Sequence, residues 1–185
     1  MIDENAPMWC SEKEFNTTVK NIGLNNYECH TIYSYVEFPS TSAIYISSNK
    51  EHWINYRDAF AFFVIRCLFV YEGWIDSNQE ISSQSIWEKD NHEWINNIDI
   101  MGAVYCGSQI VNSLEPHKIT TGRVNSETIQ WFKANKATEQ DVEFISNEMQ
   151  TSFFISLYRD SYFYDRLFFG ETDTKYIFIR LQLNE

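Results

Sequence analysis

NKEHWINYRDAFAFFVIRCLFVYEGWID, residues 49–76, is the most continuously apolar stretch of the chain, and how it folds decides the rest. Trp53, Tyr56, Phe60, Phe63, Cys67 and Tyr71 recur three or four positions apart and form one helical stripe. Ile54, Phe62, Ile65, Leu68, Phe69 and Val70 fill most of the remaining circumference. A helix apolar on nearly every side must be covered on nearly every side. Arg57, Asp58 and Arg66 interrupt the run, and the stretch from Ala59 to Tyr71 is 13 residues. A bilayer span needs roughly 20, so this is a core element. Ser48 or Asn49 as cap, Glu51 in the first turn and Gly73 as terminator predict one long central buried helix over about 50–72.

Working outward toward the N-terminus, AIYIS (residues 43–47) and TIYSYVEF (residues 31–38) are rich in β-branched and aromatic side chains and are separated by Pro39-Ser40-Thr41-Ser42. That pattern predicts two strands joined as a hairpin. Further upstream, Ser11 and Glu14 have capping-box spacing, and Phe15, Val19 and Ile22 share one face before Gly23, which predicts a helix over about 12–22. The extreme N-terminus, MIDENAPMW, lacks a basic region followed by an apolar run, so a cytoplasmic location is expected.

Downstream, residues 76–85 read as a loop, and Asp90-Asn91-His92-Glu93 opens a helix carrying Trp94, Ile95, Ile98 and Met101. GAVYCGSQIV fits a helix or a strand equally well. Asn125 or Ser126 caps a short helix through Trp131 and Phe132, and Thr138 opens another in which Val142, Ile145 and Met149 align. The last 34 residues read as three strands: FFISLY, YFYDRLFF and KYIFIRLQL. The final run is apolar on both faces, Tyr176 and Phe178 on one and Ile177, Ile179 and Leu181 on the other, which suits an interior strand. The expected architecture is therefore α+β: one domain, 1–185, with a mostly antiparallel sheet of about five strands and four to five helices.

Charge is distributed unevenly. The chain holds 26 acidic and 14 basic residues, a net charge near −12, which disfavours nucleic acid and anionic membrane as direct partners. Between Glu72 and Glu115 eight acids face a single lysine, Lys89, so this segment carries about −7, over half the total. Trp74, Trp87 and Trp94 lie in the same segment. Carboxylates speed encounter with a cation-rich protein and buried aromatics slow its release, so Glu72, Trp74, Asp76, Glu80, Trp87, Glu88, Asp90, Glu93 and Trp94 are the candidate partner-binding residues. A second acidic stretch follows at Glu139, Asp141, Glu143 and Glu148, with no basic residue between Ala137 and Arg159. The plain alternative is two solvated faces with the tryptophans in the core.

Catalytic chemistry has weaker support. His30, His52, His92 and His117 are isolated in sequence, and Cys29 and His30, as strand neighbours, point to opposite faces. The four cysteines, Cys10, Cys29, Cys67 and Cys106, form neither a CxxC pair nor a cluster with histidine, so neither a metal nor a redox site is indicated. Cys106 with a distant histidine is the residual nucleophile pair. Asp165, Glu171, Asp173 and Lys175 faintly resemble the carboxylate and lysine set of a metal-dependent nuclease, but residues 170–174 read more simply as a hairpin loop. No phosphate-loop, dinucleotide, zinc-protease or serine-hydrolase motif occurs.

The expectation is a non-enzymatic binding protein, without cofactor or metal, that neutralises or sequesters a basic protein. An immunity protein inhibiting a bacterial toxin, such as a nuclease, is its most concrete form. The rivals are a small enzyme or ligand-binding domain with an aromatic-lined pocket, and a structural subunit of a homo-oligomer.

Overall fold

The computed structural model describes residues 17–18, 21, 29–71, 115–150, 153–158 and 165–183. The protein is α+β. Among the described residues six strands form one antiparallel sheet: β1 (His30–Val36), β2 (Thr41–Asn49), β3 (Glu115–Lys118), β4 (Phe153–Tyr158), β5 (Asp165–Glu171) and β6 (Lys175–Leu183). Their order is β1-β2-β6-β5-β4-β3. Among the described residues three complete α-helices accompany the sheet: α1 (Tyr56–Tyr71), α2 (Thr121–Ala134) and α3 (Glu139–Met149). Of the helix expected over about 12–22, Thr17, Thr18 and Asn21 are helical, and its other positions, with the capping box, lie outside the described residues. The helix expected after Asp90 lies outside the described residues, so four to five helices are not found.

The sheet is built around β2 and β6, which pair over their full length from Thr41 opposite Leu183 to Asn49 opposite Lys175. β6 is flanked on its other side by β5, so the strand read as apolar on both faces does occupy the interior. Its two side-chain sets face two separate helical layers, because neighbouring strand residues alternate in direction. Phe178, with Phe169 of β5, meets Phe60 and Phe63 of α1 at ring separations of 5.2 to 6.3 Å. Ile177, Ile179 and Leu181 join Ile32, Ala43, Tyr45 and Phe168 beneath α2 and α3, against Val124, Phe132, Ile145 and Met149. Each fully buried side chain of this kind contributes about 2 kcal/mol.

One expected strand boundary and one strand count need correction. The helix does not begin near residue 50, because β2 continues through Ser48 and Asn49, which are held in register opposite Tyr176 and Lys175. A three-residue 3-10 turn, Lys50–His52, follows, and Asn49 makes no side-chain cap bond to it. The cap of α1 is Asn55: its Oδ1 accepts from the backbone N–H of Arg57 at 2.8 Å and of Asp58 at 3.2 Å. Trp53 therefore lies outside the helix, buried, with its indole N–H donating to Ser48 Oγ at 3.2 Å. Ile54, expected on the helix surface against the core, sits in the turn before that cap and is 96% exposed. The long helix over 50–72 is thus a strand end, a turn and a helix of 16 residues. The sixth strand, β3, has the sequence EPHK and no apolar alternation to announce it. Among the described residues β3 pairs only with β4, so Pro116, which has no N–H to give a further strand, is tolerated there.

Residues 59–67 of α1 are buried without a break, including Arg66, whose Nε donates to Thr31 Oγ1 at 3.3 Å. Arg180 is buried on the same side of the sheet, its Nη1 3.9 Å from Cys67 Sγ. No helix among the described residues is long and apolar enough to cross a membrane.

Candidate functional site

Among the described residues the outer side of α3 is an acidic surface. Thr138 caps the helix: its Oγ1 accepts from the Asp141 N–H at 3.1 Å and donates to Asp141 Oδ2 at 2.6 Å. This is the cap expected from the sequence, with the Asp141 carboxylate accepting from the capping hydroxyl. The buried residues Ile145 and Met149 then turn one side of α3 to the sheet. By helical spacing the opposite side carries Glu139, Glu143 and Asn147, all exposed.

Preceding α3, the end of α2 is fastened by a Schellman motif. The Ala137 N–H donates to Phe132 O at 3.0 Å and the Lys136 N–H to Lys133 O at 3.1 Å. Lys136 takes the left-handed conformation this motif requires, with φ of 61°. Asn135 binds the sheet as well as the helix: its carbonyl accepts from Ser34 Oγ at 2.5 Å and its Oδ1 from Thr41 Oγ1 at 2.6 Å. The loop between α2 and α3 is thereby held to the β1–β2 hairpin.

The far end of α3 is locked to the sheet by a polar chain. Tyr45, fully buried on β2, donates its hydroxyl to Glu148 Oε2 at 2.6 Å. Glu148 Oε1 pairs with Lys175 Nζ at the start of β6. Burial, and next the Glu148 carboxylate, hold the Tyr45 phenol protonated well above its ordinary range, so it remains a donor. His30 of β1 packs at 4.3 Å against Phe144 with the rings tilted by 41°, and the Phe144 ring also lies 5.8 Å from Lys175 Nζ. The His30 imidazole titrates below its usual 6.5, mainly because it is half-buried. Lys175 adds to that lowering, while Glu148 and Asp141 oppose it. With Tyr45 wholly covered, this chain anchors α3 to the sheet.

Of the four acids in the second acidic stretch, Asp141 therefore binds the capping hydroxyl of Thr138 and Glu148 anchors, whereas Glu139 and Glu143 face outward. Three cations that would otherwise offset such acids are committed inside the structure. Lys175 meets Glu148, Lys50 meets Glu171 at 2.6 Å, and Arg166 meets Glu127 at 2.6 Å.

The first acidic segment cannot be placed in the same way: Glu72, Trp74, Asp76, Glu80, Trp87, Glu88, Asp90, Glu93 and Trp94 all lie outside the described residues. So do Cys10, His92 and Cys106. Two other tryptophans act within the fold: Trp53 is buried, and Trp131 ties α2 to the sheet by donating to Ser42 O at 2.9 Å. His52 is on the 3-10 turn, Nε2 3.9 Å from Glu51. Cys29 approaches Thr31 Oγ1 at 3.8 Å, while His30 packs on α3, so the two strand neighbours do diverge. The nuclease-like set does not converge. Glu171 and Lys175 project from opposite faces of the sheet, to Lys50 and to Glu148, and Asp165 begins the strand that Glu171 ends. Asp173 is exposed in the β5–β6 turn. Among the described residues no group of three or more His, Cys, Asp or Glu side chains is arranged to hold a metal ion.

No protein-family model, curated protein or solved structure matches this chain.

Proposed function

We propose that the protein is a non-enzymatic binding protein for a basic protein partner, with the outer side of α3 as one part of its contact surface. The observation that carries this reading is the outward pair Glu139 and Glu143 on a helix whose opposite side, cap and end are all fastened. A rigid acidic surface attracts a cationic partner at long range and loses little side-chain and backbone freedom on binding. The net charge near −12 adds a field of the same sign. The tryptophan-bearing acidic segment around Glu88, Asp90 and Glu93 supplies the remaining contacts. An inhibitor that neutralises a toxin, in the manner of an immunity protein, is the most concrete form of this activity.

The test is a pair of charge-removing variants, Glu139→Gln with Glu143→Gln, and separately Glu88→Gln, Asp90→Asn and Glu93→Gln. Each immobilised variant is compared with the wild type for retention of basic proteins from an extract of its native cells. Loss of the same basic protein by either set, with the fold intact by circular dichroism, is the expected result. Retention unchanged by both sets makes these acids a solvated surface and removes the proposal.

A further inference from the structure

On the outer side of α2, positions 123, 127, 130 and 134 recur at helical spacing, and together with Ser126, Trp131 and Arg166 of β5 they line an open groove of about 540 Å³. That volume falls within the range of small-molecule sites. Arg166 is already committed, its Nη1 lying 2.6 and 2.7 Å from the two oxygens of Glu127. Arg123, one turn earlier on the same side of the helix, is exposed and makes no ion pair among the described residues. Trp131 turns its indole N–H inward to Ser42 O, which pins the ring and leaves carbon for the groove wall beside Ala134.

We propose that this groove binds a small organic anion, a carboxylate or phosphate carried on a planar apolar body. The anionic head sits on the Arg123 guanidinium, whose planar fork of N–H donors matches either group. Ser126 and Gln130 supply neutral hydrogen bonds beside it, and the apolar body lies against Trp131 and Ala134. The Glu127–Arg166 pair, neutral overall with both carboxylate oxygens on the guanidinium, closes one side of the groove. The site is independent of the acidic surface of α3: one takes a small anion through Arg123, the other a basic protein.

Benzoate and phenyl phosphate, with benzamide as the neutral counterpart, are titrated into the full-length isotopically labelled protein and followed by NMR. The expected result is a saturable shift of the Trp131 indole N–H and the Arg123 side-chain N–H with one or both anions. Binding is expected to be about tenfold weaker for benzamide and for the Arg123→Gln variant, the loss of one charge-assisted contact. The tighter anion identifies the head group. Arg57→Gln, at the start of α1, is the control and leaves the affinity unchanged. Benzamide binding as tightly as benzoate, Arg123→Gln binding as tightly as the wild type, or no shift at Trp131 with either anion overturns the proposal.

Discussion

The two faces of the sheet are covered by different physics. Beneath α1 the contact is aromatic and continuous: Phe60, Phe62 and Phe63 follow one another with Trp53, Phe169 and Phe178 around them, and residues 59–67 show no exposed side. Beneath α2 and α3 the contact mixes aliphatic side chains with Tyr45, Phe132 and Phe168 and is one-sided, and polar ties at its margins set the helix positions: Tyr45 to Glu148, Asn135 to Ser34 and Thr41, and Trp131 to Ser42. A helix buried all round has no surface to offer. A helix half-buried and pinned at its ends presents a fixed outer side, and both candidate binding surfaces, the acids of α3 and the groove of α2, lie on helices of that kind.

Substitutions separate the two faces most sharply in the aromatic layer. Phe63→Ala is expected to cost about 5 kcal/mol, as a large cavity opens where neighbours cannot collapse, whereas the same deletion under α2, Phe132→Ala, costs about 3 kcal/mol. Urea unfolding of the two variants checks the ratio. If the costs are equal, the faces are packed alike.

Next in size is the polar anchor. Tyr45→Phe leaves a partly buried carboxylate oxygen of Glu148 without its donor and is expected to lose about 1.5 kcal/mol. Hydrogen exchange sharpens the comparison: amides of α3 should lose protection in Tyr45→Phe while those of α1 keep theirs.

Acid acts on the same face. His30 binds its proton less readily folded than unfolded, so its contribution is fully present above pH 6.5 and declines as the pH falls through the lower folded value. The unfolding midpoint should therefore drop between pH 7 and the acid side of 6, and His30→Gln should flatten that drop. A wild-type midpoint independent of pH in this window would show that the imidazole is not held neutral against Phe144.

The smallest expected effect is a gain. Lys136 holds a left-handed backbone at φ 61°, the conformation in which glycine carries no side-chain clash. Lys136→Gly is expected to raise stability by about 0.5 kcal/mol, the relief being partly offset by greater freedom of the unfolded chain. Differential scanning calorimetry would register it as a small upward shift in Tm.

How much of this was legible in the sequence differs between the same two faces. α3 was readable because Thr138 caps it and Val142, Ile145 and Met149 repeat at its period, and the β1–β2 hairpin and β6 were readable from their alternation. α2 begins a turn before the expected Asn125 or Ser126, since Thr120 makes no side-chain cap bond and Gly122 stands in the first turn. The run preceding α1 misled because apolar residues without a period fit strand end, turn and helix alike, and only the cross-strand register assigns Ser48 and Asn49 to β2. β3 carries no local pattern at all. The anchor of α3 was invisible for another reason: Tyr45 and Glu148 are 103 residues apart and meet only once the sheet is assembled. The one local hint was a carboxylate placed next to the buried stripe of α3, at Glu148 beside Met149.

The measurement that bears most directly on the proposed function is the salt dependence of partner capture by the wild-type protein. A basic protein bound at low ionic strength should be released sharply between about 0.1 and 0.5 M salt, where screening falls to a few ångströms, and should be missing from the Glu139→Gln, Glu143→Gln eluate. A partner held equally at both salt concentrations, or retained by the variant, would contradict an electrostatic surface on α3.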